Sequence, residues 1–460
     1  MSIIQGTSKS AAGGSDPFVT TLIPNSIWLD GAADFLERQN GSAFSNRKEV
    51  IISFWVQRNK FATKQAFFAG VESSAGFFLT FDVTTDKLFL SDGGSKNTTA
   101  VYRDIGWYHL LISYDTSQVV ATDRTQLYVN GVQVTSFSTA GTVGLNSNIA
   151  GISGAMTGAE NMRIGAYNNT EVNLFFFNGY IAQACMLESV SLQQGDFAVS
   201  DFLDTFTYGT NGSQFVPKAN ADIATLASTA GGNSFCLDFA DSSDLGNDIS
   251  SNNNDFSPTS MAAVNQSGNT PSLVYPVFNP LAQVGTGTGT LSEGNTKVVL
   301  AADNGITATQ TIPSTGLWYW EMDWTAGANG IYPGVCVQSA VGNTASSPHA
   351  RTDTWVWLAG DSQGRVFNGS SLDAYVGSAT AVGKIAVCFD ADNTAMYFGT
   401  ISSTTITWLD SGDPTSGSSK TGAAPFTSLP TDETVYIFQS TGDASTVQYL
   451  FDEDDWTGAT

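Results

Sequence analysis

Five aspartates, Asp238, Asp241, Asp244, Asp248 and Asp255, crowd the stretch FCLDFADSSDLGNDISSNNNDF. Hard oxygen ligands at this density suit Ca²⁺, and Asp241, Asp244 and Asp248 are the candidate ligands. The spacing is not that of an EF-hand loop, and Asx residues equally make turns by bonding their own backbone. The chain has two histidines, His109 and His349. His109, in the alternating run WYH, reads as structural. His349, in SSPHART, is a loop residue with no evident Ser or Asp partner, and a triad needs a positioned base. A glycosidase needs two carboxylates facing each other across a cleft, and no motif singles out such a pair. GTGTG at 285–289 lacks the GK[ST] of a phosphate loop. The expectation is a non-enzymatic protein with no cofactor, Ca²⁺ being the one ion considered. Tyr332, His349, Arg351 and Trp355 lie in or near polar loops and are the candidate ligand-binding residues, since sugars favour aromatic faces beside polar groups.

The 460 residues carry 18 basic against 42 acidic side chains, a net charge of −24. Phosphate-backbone binding relies on Lys and Arg clusters, and none is present, which argues against nucleic acid and anionic membrane as partners. No apolar run approaches the roughly 20 residues of a membrane span. The opening MSIIQGTSKSAAGG lacks the basic and apolar regions of a signal peptide, so synthesis as a soluble cytoplasmic product is expected. With 46 glycines, 12% aromatic and only 13% charged residues, the composition suits an all-β protein of short strands and polar loops. Cys185, Cys336 and Cys388 sit in apolar runs. Free core thiols are expected for the four cysteines, with one disulfide as the alternative.

The elements that must hold these residues read as strands. Trp107–Tyr114 and Gln126–Thr135 alternate at period 2, and Asn130-Gly131 inside the second predicts a type I′ hairpin turn. Both faces of Trp107–Tyr114 are bulky, which predicts a strand between two layers. Further runs at 27–29, 50–56, 66–71, 77–83, 88–91, 162–166 and 179–187 complete a first sandwich. A short helix within Ser189–Phe206 would put Phe197, Phe202 and Phe206 on one face. In GLWYWEMDW (316–324), Tyr319, Glu321 and Asp323 share a face. The fold class is all-β: two β-sandwich (jelly-roll) domains joined by an Asx/Ser/Gly-rich connector. Residues 1–24 form an N-terminal arm, 25–206 the first sandwich, 207–280 the connector and 281–460 the second sandwich. Phe235, Leu237, Phe239 and Phe256 are placed to pin the connector onto a neighbour.

The order tryptophan strand, WYH strand, YVNG hairpin, RIGAY and FNGYIAQACMLE resembles the laminin-G-like (concanavalin A-like) jelly roll. GLWYWEMDW, YPGVCV and GKIAVCFDADNTAMYFGT resemble the SPRY domain, with Gly399-Thr400 where that family has Asn-Gly. With FTYGTNGSQF, the DSSDLGNDISSNNNDFSPTS stretch and VYPVFNPL between them, residues 25–460 resemble bacteriophage tail-fibre or virion-surface proteins. That resemblance implies a virion location, host recognition through a surface glycan or protein, and docking to other virion proteins through the arm. A homo-oligomer follows by analogy, with a trimer as the guess. The alternative is a capsid or tail decoration protein whose sandwiches make only virion contacts. Laminin-G-like domains often bind Ca²⁺ at their rim, but no motif here maps that site.

Overall fold

A computed structural model describes residues 23–456 apart from 40–41, 73–74, 92–93, 150, 152–160, 168–174, 208–212, 288, 328–329, 345–346, 361–363, 373–374, 376–382, 427–428, 430–433 and 452–455. Residues 1–22 of the arm, part of the 138–159 loop, and 208–212 of the connector therefore lie outside the described residues. The chain divides into two compact units, Met1–Val274 and Tyr275–Thr460.

Among the described residues the first unit has two eight-stranded sheets, all of whose pairings are antiparallel. The first sheet centres on Glu49–Arg58, flanked by Trp107–Asp115 and Asn178–Glu188. In the second, Leu88–Ser91, Ala75–Phe81, Gln65–Glu72, Asn161–Ile164, Phe35–Arg38 and Ser257–Thr259 lie side by side. The core between them takes Ile52, Phe54 and Ile112 from one sheet and Phe68, Phe77, Leu79 and Ile164 from the other. Period-2 alternation delivers these side chains to one face.

A third layer covers the other face of the first sheet. Ile51, Leu111, Cys185 and Leu187 pack there against Phe202, Leu203, Ile223 and Ala227. Phe202 immediately precedes the hairpin Leu203–Thr207/Ser213–Pro217, which supplies Leu203, and Ile223 and Ala227 come from the helix Asn220–Thr229. Both faces of Trp107–Asp115 are thus buried, as its bulk on both sides predicts. The helix expected within 189–206 is not formed. A 3-10 turn, Val199–Asp201, stands there instead and leads into a strand. Phe202 is drawn into the third layer and the strand pairs with Ser213–Pro217, so tertiary pairing overrides the local spacing. In the YVNG hairpin, Asn130 and Gly131 have φ of 49° and 74°, the positive pair that a type I′ turn requires.

The stretch read as a connector supplies strands to both sheets of the first unit. Phe235–Leu237 pairs with Asn178–Glu188, Gln266–Ser267 with Ser26–Asp30, and Ser257–Thr259 with Phe35–Arg38. The cause is apolar: Phe235, Leu237, Phe239, Leu245 and Phe256 are all core residues. This register sets Cys185 opposite Cys236, and a disulfide joins them. The expectation of free core thiols holds for Cys336 and Cys388, which are buried and unpaired, and not for this pair.

The second unit has two seven-stranded sheets among its described residues. Trp320, Met322 and Trp324 of Leu317–Ala326 point into its core with Val335, Trp355, Trp357, Val387 and Phe398. Glu321 alternates onto the opposite face and is buried all the same, accepting a hydrogen bond from the Tyr319 hydroxyl at 2.8 Å. No helix among the described residues is long and apolar enough to cross a membrane.

Candidate functional site

In the first unit, a cleft of about 750 Å³ is lined by Glu37, Arg38, Gln39, Asn161, Arg163, Asn253, Asn254, Asp255 and Ser257. Three strands and one loop build it. In Phe35–Arg38, alternation sends Leu36 into the core and leaves Phe35 and Glu37 outside. Glu37 stands opposite Arg163 on one neighbour and Ser257 on the other.

Arg163 donates to Glu37 Oε2 from Nη2 at 3.1 Å and Nε at 3.3 Å, and Asn161 Nδ2 donates to the same oxygen at 3.3 Å. The Arg163 guanidinium lies over the Phe35 ring, 4.7 Å from its centroid. Phe35 in turn contacts Phe176 at 6.2 Å. Stacking and pairing hold the guanidinium in one orientation, with part of its donor fork still turned away from Glu37.

Arg38 forms the rear wall. It is buried, donates to the Asn233 carbonyl at 3.3 Å and pairs with Asn254 Oδ1. Burial pushes it down to about 10, against the opposing pull of Asp248, Asp255 and Glu188. The loop wall is tied from within. Asp248 accepts the backbone N–H groups of Cys236, Ser250 and Asn254 and the Ser250 hydroxyl, at 2.7–3.0 Å. Asn254 Nδ2 donates to the carbonyls of Gly232 and Ser234. The lining charges balance, Glu37 and Asp255 against Arg38 and Arg163, in a protein of net charge −24. Carboxylates, amides and a guanidinium lining one cleft can hydrogen-bond a neutral polyol.

Of the residues singled out from sequence, Asp255 lines the cleft and the candidate metal and ligand residues fall elsewhere. Asp248 is a backbone clamp with both carboxylate oxygens in use, Asp241 closes a turn onto Ser243, and Asp244 is exposed. Among the described residues no three His, Cys, Asp or Glu side chains are grouped to hold a metal ion. In the second unit Tyr332 and His349 do come together, stacked at 4.0 Å and 8°, with Phe367 edge-on to both. Burial lowers the His349 pKa. Arg351 is taken by Asp353, at 2.8 and 2.6 Å. Trp355 is a core residue on the other face of the sheet from Tyr332, because successive strand residues alternate. It cannot meet a ligand beside Tyr332 and His349. His109 is buried, with Nε2 at 2.9 Å from the Ser53 hydroxyl. Sequence reading missed Phe35, Glu37 and Arg163. The signal available was alternation in FLER, where an aromatic and an acid share the face opposite a core leucine.

Residues 30–183 match the Laminin_G_3 model of the concanavalin A-like lectin/glucanases superfamily. This segment is a concanavalin A-like domain, and it contains the Glu37, Asn161 and Arg163 part of the cleft. No curated protein matches the chain. Among solved structures, similarity is found to stonustoxin, at 17% identity and TM-score 0.29, over 38% of this chain and 27% of that one. The SPRY domain of human HERC1 matches at 12% identity and TM-score 0.26, over 38% of this chain and 98% of that domain. A SAP-like pentraxin from Limulus polyphemus matches at 13% identity and TM-score 0.28, over 44% and 88% respectively. At these scores the likenesses carry no argument about function.

Proposed function

We propose that this is a non-enzymatic recognition protein that binds neutral carbohydrate in the Glu37–Arg163 cleft. The observation that carries the reading is the charge-balanced polar cleft, its guanidinium laid on Phe35 and held by Glu37 beside Asn161. The lectin-type family of residues 30–183 supports it. Retention of the full-length protein on immobilised neutral polysaccharides tests it. Wild type is retained, and Arg163→Ala and Glu37→Gln reduce affinity at least about tenfold, the loss of roughly one charge-assisted contact. Retention unchanged in both variants overturns the site.

The setting we propose is a bacteriophage particle, where the protein recognises the host surface as a tail-fibre or receptor-binding component. What supports this is the ordered resemblance over residues 25–460 described above. Gold-labelled antibody on intact phage particles tests it. Label at the distal tail supports host recognition, label over the head or tail tube favours a decoration role, and unlabelled particles defeat the virion setting.

A further inference from the structure

The two walls of the cleft hang on different sheets. Glu37 and Arg163 stand on strands of the second sheet. The loop wall is tied to a strand of the first. Asn254 Nδ2 donates to the carbonyls of Gly232 and Ser234 at 2.9 and 2.7 Å, and Asn252 Nδ2 reaches the Ser234 carbonyl at 3.1 Å. The Cys236 N–H donates to Asp248, and the Ile249 N–H donates back to the Cys236 carbonyl at 2.9 Å. Asn254 also accepts from Arg38, and the loop rejoins the second sheet at Ser257, opposite Glu37. Where Phe235–Leu237 sits therefore decides where the loop wall sits.

Phe235–Leu237 is a short anchor. Its three residues pair with Ala184, Cys185 and Met186, next to a break in register of the longer strand between Ala182 and Cys185. Pairings this short are where a sheet opens at least cost. Phe235 and Leu237 point into the core, whereas Cys236 turns to the third layer and meets Cys185 directly opposite. Both cysteines are fully buried. Their disulfide closes a ring over a sequence separation of 51, which takes in the hairpin and the helix of the third layer. A disulfide acts mainly by restricting the opened chain. While the bond stands, Cys236 cannot leave Cys185, and the loop hung on Cys236 stays with it.

We infer that the Cys185–Cys236 pair is a redox control on the cleft. As a disulfide it fixes the loop wall; as two thiols it lets Phe235–Leu237 and the loop wall part together from the first sheet. The element with two states is the bond itself. Reduction consumes two molecules of a thiol such as glutathione: the S–S bond breaks, each cysteine sulfur takes one proton, and the reductant leaves as its own disulfide. Burial keeps the bond from thiols in solution until the wall opens, so either state, once set, persists in the folded chain. Coupling of this kind is reciprocal, and a ligand that spans both walls favours the disulfide by the same factor. That last consequence rests on the carbohydrate reading above; the motion of the wall does not.

The test compares two states of one sequence, so no variant has to fold. The full chain is purified under reductant, and half of it is then treated with oxidised glutathione. Alkylation after unfolding should count four thiols in the first sample and two in the second, Cys336 and Cys388 being unpaired in both. Native hydrogen exchange follows by mass spectrometry. Peptides over 234–256 are expected to exchange at least about tenfold faster in the reduced sample, and peptides over 50–58 at the same rate in both. Cys336→Ser should keep this difference, and Cys185→Ser should exchange fast with or without oxidant. Equal exchange over 234–256 overturns the inference, as do four thiols that the oxidant leaves in place. Acceleration spread equally over 50–58 also overturns it, since the bond would then stabilise the whole unit and control nothing at the cleft. Weaker retention of the reduced sample on a neutral polysaccharide extends the control to binding. Retention of neither sample defeats the carbohydrate reading and leaves the exchange result standing.

Discussion

The carboxylate of Asp248 accepts the backbone N–H of Cys236 at 2.8 Å, and so locks the disulfide-bearing strand to the loop that walls the cleft. The same carboxylate serves Ser250 and Asn254. Removing it leaves buried N–H groups without acceptors, at about 1–3 kcal/mol for each group left unsatisfied. Asp248→Ala is expected to lower stability by about 3 kcal/mol or more in urea melts. Because chain donors take both oxygens, a chelator should leave the wild-type thermal midpoint unchanged. A midpoint that falls with chelator and returns with Ca²⁺ would place an ion in this loop.

Binding and stability should separate at the cleft. The Arg163–Glu37 pair is partly exposed, with side-chain exposures of 13% and 38%, and such pairs contribute about 0–1 kcal/mol. Arg163→Ala is expected to shift stability by less than about 1 kcal/mol while abolishing most carbohydrate retention. Unfolding curves run beside the binding assay check this. A large stability loss would recast Arg163 as a packing residue.

Two buried groups give the first unit opposing pH responses. Complete burial holds His109 down to about 3. From about pH 6.5 downward the unfolded chain binds a proton that the folded one refuses. That stability is complete above about pH 6.5 and falls by about 1.4 kcal/mol per unit on acidification. Asp34 works the other way. Burial, then the neighbouring Asp30, raise it to about 6. Its contribution is present below the ordinary carboxylate range and is lost as pH rises through about 6. Urea midpoints at about pH 6 and pH 4 read the two apart. Asp34→Asn should steepen the loss on acidification, and His109→Phe should flatten or reverse it. Identical slopes in both variants and wild type would exclude these groups as the cause.

The hairpin turn offers a backbone test. Gly131 sits at φ 74°, and a Cβ there would come within 2.8 Å of the Phe215 ring. Gly131→Ala combines positive-φ strain with that clash and should cost about 1–3 kcal/mol, read as a lower thermal midpoint. A midpoint equal to wild type would mean that the third layer shifts freely.

Strand periodicity carried most of the fold in the sequence. Trp320, Met322 and Trp324 face inward and Asn130-Gly131 turns as its residue types require, because both effects are local. What escaped was long-range. The pairing of Phe235–Leu237 with Asn178–Glu188 makes a polar, turn-rich stretch part of a sandwich, and local composition cannot register it. The cleft escaped for the same reason. Glu37, Asn161 and Ser257 are ordinary strand residues until register sets them side by side. Tyr332 and His349 do meet, but Trp355 shows that nearness in a loop-rich sequence does not decide which face a strand residue takes.

The pairing of Glu37 with Ser257 also sets a schedule. A ribosome adding about 5–20 residues per second needs on the order of 10–40 s after making the first of these residues to deliver the second. Until Asn161–Ile164 is made, the Phe35–Arg38 strand lacks both of its neighbours, and from then until Ser257 it keeps one edge uncovered, ready to pair with the corresponding strand of another nascent chain. Slowing translation ahead of residue 257 should therefore raise the aggregated fraction, whereas a pause after the 266–267 strand should not.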